Sequence, residues 1–279
     1  MKGEAKHTTP PIYIMADHFR DGTACITGAA SGIGRATSLA FPRDGCRKLV
    51  LGDLSSAGLN ETRDMILQKY PAAEVVTSVM DVSNVEQVES FHATAVEKFG
   101  RIDFTANIAG YGHLPTPSTE LKFSEINKSF AVNLKGVFLC EQVQLRQMLK
   151  QSPLEGFESR GSIVNVASLC ATIAMPGMTG YSATKGAALG LTRGDALDYG
   201  SHQIRINCVA PGNIITLMLS GVMGEEHMTL MAGTTPLRRL GRPDDIANAV
   251  VWLSSPMACY VTSVNLPVDG GLALSNGPF

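Results

Sequence analysis

The sequence predicts an α/β fold: a doubly wound parallel sheet of about seven strands with helices on both faces. Three observations carry this expectation. Short Val/Ile-rich runs alternate with longer amphipathic runs along the chain. The short runs lack polar alternation, as strands buried on both faces do. A glycine-rich turn, Thr27-Gly28-Ala29-Ala30-Ser31-Gly32-Ile33-Gly34, joins the first short run to the first helical pattern.

The expected strands are Thr23–Thr27, Lys48–Asp53, Glu74–Val79, Ile102–Asn107, Ser162–Ala167, Ile204–Val209 and Val264–Val268. Helical periodicity runs through Val85–Phe99, Phe123–Lys150 and Tyr181–Tyr199. Strand–helix–strand units of this kind close with right-handed crossovers. Residues 151–160, with Pro, Gly and charged side chains, read as an exposed loop. Residues 213–235 are rich in Met and Leu and follow the turn Pro211-Gly212. That position, beyond the carboxyl end of a strand, favours a mobile apolar lid over a packed helical excursion. Residues 1–20 read as a loose leader and 21–279 as one catalytic domain.

Composition narrows the function classes. Lys plus Arg number 23 and Asp plus Glu 25, for a net charge of −2, so no broad electrostatic footprint for nucleic acid is expected. No apolar run is long enough for a membrane span, and the first residues lack the pattern of a signal peptide. The six cysteines show no C-x-x-C spacing and mostly sit in apolar runs, as reduced thiols of a cytoplasmic protein would. The histidines show no paired ligand spacing, and no metal is expected. His113, in the loop after the fourth strand, reads as a surface residue that borders the substrate at most.

The glycine turn carries the first chemical signal. Gly28, Gly32 and Gly34 permit a tight turn and let backbone N–H groups approach a pyrophosphate at a helix N-terminus, with Ser31 and Ile33 in the same cradle. A bare glycine triplet is weak; its strand–turn–helix context strengthens it. Asp53 ends the next strand, where a carboxylate accepts hydrogen bonds from adenosine ribose hydroxyls and repels a 2′-phosphate. Neither Ser31 nor Leu54 is basic, so NAD is expected over NADP.

Further segments follow in a fixed series: Asp81-Val82, Asn107-Ile108-Ala109-Gly110, Asn133-Leu134-Lys135-Gly136, Ser168, Tyr181-Ser182-Ala183-Thr184-Lys185, Pro211-Gly212 and Thr216. In order and spacing this resembles a short-chain dehydrogenase/reductase of the single-domain type, a Rossmann fold, over roughly residues 21–272. The resemblance implies that Asp81 and Val82 contact adenine, and that Asn107, Ala109 and Gly110 shape the cofactor floor. It implies that Pro211, Gly212, Ile214 and Thr216 hold the nicotinamide end. It assigns catalysis to Asn133, Ser168, Tyr181 and Lys185, the last two also binding cofactor. Ile108 departs from the family's usual second asparagine, which is expected to loosen local hydrogen bonding. Ser263 stands where a glycine is common.

Tyr181 and Lys185 are spaced i, i+4 and share a helix face. A neighbouring ammonium is expected to lower the phenol's pKa so that Tyr181 exchanges a proton with the substrate oxygen. Ser168 would donate a hydrogen bond to that oxygen; a nucleophilic role is disfavoured because no G-x-S-x-G elbow surrounds it. Asn133 would hold a water near Lys185. Hydride transfer belongs to the cofactor.

The expected substrate walls are Leu169, Cys170, Ala174, Met175, Met178, Leu217, Met218, Leu219, Val222 and Met223, which are mostly apolar. They point to a hydrophobic secondary alcohol or ketone such as a terpenoid, steroid or polyketide of secondary metabolism. Core or dimer contacts are the competing reading of the 218–231 segment. The resemblance also implies a homodimer or homotetramer. Three alternatives remain open at this point: an NADPH-dependent carbonyl reductase, a non-redox isomerase or cyclase, and a cofactor-binding protein without catalysis.

Overall fold

In the computed structural model, residues 19–220 and 224–275 are described. Seven parallel strands form one sheet in the order β3-β2-β1-β4-β5-β6-β7. They are β1 Thr23–Thr27, β2 Lys48–Asp53, β3 Glu74–Val79, β4 Phe104–Asn107, β5 Gly161–Val166, β6 Ile204–Pro211 and β7 Asn265–Val268. Helices α1 Gly32–Arg43, α2 Ser56–Lys69, α3 Val85–Phe99, α4 Phe123–Phe130, α5 Val137–Met148, α6 Thr179–Gly200, α7 Leu217–Ser220, α8 Glu225–Thr234 and α9 Pro243–Ser254 complete the frame.

Burial on both sheet faces explains the unbroken apolar strands. β1, β4, β5 and β6 are buried at every position. On one face Ala36, Ala40 and Phe41 of α1, Leu59 and Ile66 of α2, and Ile246, Val250 and Leu253 of α9 build a core against the sheet. On the other, Val88 and Phe91 of α3, Cys140, Leu145 and Met148 of α5, and Ala196 of α6 build a second. The strand order reverses between β1 and β4, the crevice where such sheets bind ligands.

Four expectations change in detail. β4 begins at Phe104 rather than Ile102, and just before it Asp103 buries its carboxylate. It accepts from Thr23 N at 2.9 Å and from Arg101 Nε. The run 123–150 is not one helix: a π-helical turn, Ala131–Gly136, separates α4 from α5. Residues 151–160 are less exposed than expected, since Leu154 and Phe157 pack on the core and the Phe157 ring lies 5.6 Å from that of Phe104. The leader is not loose to its end, for Phe19 is fully buried edge-on to Phe41 and Phe104. The rest of the leader, residues 1–18, lies outside the described residues.

Ser263 adopts a φ of +63°, the left-handed backbone where glycine is favoured. That geometry accounts for the glycine common there. Ile108 does not leave its loop unanchored: its N–H donates to Thr27 Oγ1 at 3.1 Å, as does Ala109 N at 3.3 Å.

Candidate active site

The carboxyl ends of the strands border a cleft of roughly 1440 Å³. The glycine turn forms one end. Gly28 and Gly32 have φ of +71° and +50°. Gly34 packs so closely under the turn that an added Cβ would lie 1.9 Å from the Gly28 carbonyl oxygen. Ser31, the N-cap of α1, uses no side-chain bond to cap the helix, and Gly32, Ile33 and Gly34 line the cleft. The open N–H groups of a helix start therefore border the cleft, as a pyrophosphate site requires.

Asp53 sits at the carboxyl end of β2 and also lines the cleft. Its Oδ2 accepts from Ala30 N and its Oδ1 from Ser55 N, both at 3.0 Å, which fixes the carboxylate beside the glycine turn. The nearby cation Arg35 is engaged elsewhere, with Nη1 and Nη2 on the two oxygens of Glu61 at 2.9 and 2.7 Å. Asp81, Val82, Ala109, Gly110, Pro211, Gly212, Ile214 and Thr216 all border the same cleft. These features fit a nicotinamide dinucleotide.

At the centre, Ser168, just beyond the end of β5, meets Tyr181 and Lys185 of α6. Lys185 Nζ is buried, donates to Val166 O at 2.8 Å and lies 5.8 Å from the Tyr181 ring centre. Ser168 Oγ accepts from Cys170 N at 3.2 Å. Its hydroxyl also lowers the Tyr181 pKa by hydrogen bonding, but burial outweighs it and pushes the phenol up to about 12. Burial lowers Lys185 to about 8. The expected depression of the Tyr181 pKa is thus corrected: desolvation of the phenolate outweighs the hydrogen bond from Ser168.

The matches to known proteins follow this geometry. Residues 28–273 match the family described as enoyl-(acyl carrier protein) reductase. Levodione reductase of Leifsonia aquatica is 37% identical over 264 residues, covering 91% of this chain and 94% of that one. The chain belongs to the short-chain dehydrogenase/reductase family. It is an NAD(P)-dependent oxidoreductase acting on CH–OH groups. A short-chain dehydrogenase, srdC, of Neurospora crassa is 38% identical over 268 residues, with 91% and 97% coverage. Among solved structures, 7α-hydroxysteroid dehydrogenase complexed with NADH and 7-oxo glycochenodeoxycholic acid has a TM-score of 0.83 at 32% identity. It covers 91% of this chain, which covers 95% of it.

In this short-chain dehydrogenase/reductase, two expected site residues stand behind the cleft wall. Asn133, fully buried in the π turn, binds the Tyr111 backbone twice at 2.8 Å, Oδ1 accepting from N–H and Nδ2 donating to the carbonyl. Nδ2 also donates to Thr184 Oγ1. Asn133 Oδ1 nevertheless approaches Lys185: a Cβ placed on Gly110 would lie 3.4 Å from Nζ and 3.5 Å from Oδ1. Asn107 does not reach the floor either. It is buried in a polar chain, donating to Asn165 Oδ1 at 2.9 Å and accepting from Gln144 Nε2 at 2.9 Å.

That chain ends on a carboxyl group the sequence analysis did not single out. Asn165 Nδ2 donates to Glu141 Oε1 at 3.1 Å, while Glu141 Oε2 is buried without a hydrogen-bond partner among the described residues. Burial raises Glu141 to about 8. Unfolding returns it to the ordinary range, so its ionisation opposes folding progressively from about pH 4.5 to about pH 8. Stability present below that window is lost as pH rises through it. Glu141→Gln keeps an acceptor for Asn165 and removes the charge. Thermal unfolding at about pH 5 and about pH 9 should show the variant gaining on wild type at the higher pH, by a few kcal/mol.

Of the expected substrate walls, Cys170, Met175, Met178, Leu217, Met218 and Leu219 border the cleft. Leu169 is 2% exposed and, like Ala174, stands outside the lining. Val222 and Met223 lie outside the described residues. Helices α7 and α8 carry the Met/Leu segment, and α8 buries no residue. The opposite wall, absent from the sequence reading, is more polar: Tyr111 donates to Glu125, and Lys128 Nζ stands 4.1 Å from the Tyr111 ring centre. His113 is not a surface residue: it is 7% exposed and lines the cleft.

Proposed function

We propose that this chain is an NAD-preferring dehydrogenase/reductase that interconverts a hydrophobic secondary alcohol and its ketone, with Tyr181 as general acid/base. The observation that carries the proposal is the meeting of Ser168, Tyr181 and Lys185 on one cleft with the glycine turn at its end. Nicotinamide, when bound, accepts or supplies the hydride. Tyr181 takes the proton of the substrate hydroxyl or returns it to the carbonyl oxygen. Ser168, whose Oγ already accepts Cys170 N–H, uses its own proton on that oxygen. Lys185 supplies positive charge beside Tyr181, and Asn133 anchors the Tyr111 loop next to it.

The phenol held up near 12 is protonated at neutral pH, which suits proton donation in carbonyl reduction. Alcohol oxidation then gains as pH rises. The apolar wall of Met175, Met178 and Met218 suits a bulky apolar substrate. So does the likeness to a steroid dehydrogenase that binds 7-oxo glycochenodeoxycholic acid. No described helix is long and apolar enough to cross a membrane, and all six cysteines are free, five of them buried, which fits a reducing cytoplasm. A homodimer or homotetramer is supported by an exposed apolar groove of Phe130, Leu134, Phe138 and Leu191.

NAD preference rests on Asp53 and on the engagement of Arg35 by Glu61. Asp53→Ala removes the carboxylate that accepts from the ribose and repels a 2′-phosphate. In paired titrations, the ratio of NADH to NADPH affinity should fall about 10- to 100-fold, the worth of hydrogen bonds to a charged group. An unchanged ratio would remove Asp53 from the account of specificity.

A further inference from the structure

We infer that His113 is a positioning residue: its neutral imidazole caps the N-terminus of α6 from outside the helix and thereby sets Tyr181. The inference rests on the general acid/base role proposed for Tyr181. Three observations carry it.

The first is the hydrogen-bond pattern. Nδ1 stands 2.8 Å from the Leu114 carbonyl oxygen, and Nε2 stands 3.2 Å from the Tyr181 backbone N–H. A carbonyl only accepts and an N–H only donates, so the two contacts together require the neutral tautomer with the proton on Nδ1. The second is the bare helix start. Met178, the N-cap of α6, makes no side-chain cap bond, and Tyr181 is the third residue of the helix, whose N–H has no partner within it. His113 supplies the acceptor that a Ser or Asp at the N-cap would otherwise provide.

The third is the space left for the ring. A Cβ on Gly180 would lie 3.2 Å from His113 Nε2, 3.0 Å from Leu121 Cδ2 and 3.4 Å from Ile126 Cγ1. The contacts to Leu121 and His113 are tighter than most Cβ contacts, so a side chain at 180 would press on the imidazole, and the glycine leaves the ring its room. The same loop is fixed beside Tyr181 at two more points. Asn133 holds Tyr111, and Thr116 N donates to Gly177 O at 2.9 Å. Gly112 lies against the Tyr181 ring, a Cβ there falling 3.8 Å from Cε2. His113 therefore couples the polar substrate wall to the helix that carries the proton-transfer group, and displacement of a reacting group by even about 1 Å costs rate heavily.

The test begins with the wild-type protein. Nitrogen-15 spectra of the imidazole should show His113 neutral with its proton on Nδ1, and a coupling through the hydrogen bond from the Tyr181 amide to Nε2. A proton on Nε2 would overturn the inference. Two variants then read the consequence. His113→Leu removes the acceptor at similar volume, and His113→Gln returns an oxygen near the Nε2 position. Exchange of the Tyr181 amide should quicken about tenfold or more in H113L and return toward wild type in H113Q. With ketone and NADH, kcat should fall about tenfold in H113L, with NADH affinity unchanged, and recover to within about threefold in H113Q. Unchanged amide exchange in H113L, or an H113Q no better than H113L, would overturn it. A wild-type enzyme that binds NADH yet turns over no alcohol or ketone would defeat the proposed reaction instead, and would leave the tautomer and exchange results standing.

Discussion

Tyr181→Phe should leave NADH binding within about threefold of wild type and lower kcat by 10²- to 10⁴-fold, the range for loss of a positioned acid or base. The substitution deletes one oxygen. The ring stays packed against Gly112 and within 5.8 Å of Lys185 Nζ. The phenol is protonated at neutral pH and the ring keeps its packing, so the variant is expected to fold as wild type does. Single-turnover reduction of a ketone, with NADH affinity measured in parallel, separates the two effects. Retained turnover with intact binding would assign the proton transfer to another group.

Gly34→Ala should have the second largest effect, this time on cofactor binding and stability together. The added Cβ would lie 1.9 Å from Gly28 O, 2.5 Å from Gly28 C and 3.0 Å from Ala29 N. These are backbone atoms, so the strain cannot be relieved by turning a side chain. Alanine gains about 1 kcal/mol over glycine in helix propensity. Overpacking of this kind costs about 1–3 kcal/mol or more, so the clash wins and α1 must shift from the turn. NADH affinity should fall at least about 100-fold, because the open helix start moves from the pyrophosphate position, and the melting temperature should drop by several degrees. Calorimetric titration and thermal melts check both. Wild-type affinity in G34A would mean that the turn does not carry the dinucleotide.

The parts of this protein legible in its sequence are those set by local pattern. β1, β2 and β3 run over the expected residues: β1 and the middle of β2 are buried and need continuous apolar stretches, while β3, a half-buried edge strand, is marked by its Val pair between turn residues. The glycine turn, Asp53, Ser168, Tyr181 and Lys185 were legible because their spacing is fixed by one strand–turn–helix geometry after another, and all of them reach one cleft.

What escaped depends on partners far away in the chain. The π turn is invisible in periodicity, since Phe123 to Lys150 stays amphipathic throughout; Asn133 reveals it only through its two bonds to Tyr111. Asn107 reads as a floor residue until Gln144 and Asn165 claim its amide. Phe19 and Phe157 gain their burial from Phe41 and Phe104 across the fold. His113 reads as a surface side chain because its partner, the Tyr181 N–H, lies on another element. The one available signal was Gly180, a glycine inside the first turn of a helix where a better helix former would ordinarily stand. The raised pKa of Tyr181 likewise follows from burial, which spacing does not report.

The most direct test of the central claim is NADH formation by the wild-type enzyme from NAD with two sets of secondary alcohols: bulky cyclic apolar ones and small polyols. The cleft walled by Met175, Met178 and Met218 predicts turnover of the cyclic apolar set, faster at higher pH, with little from the polyols. Turnover confined to the polyols, or none with either set while NADH binds, would contradict it.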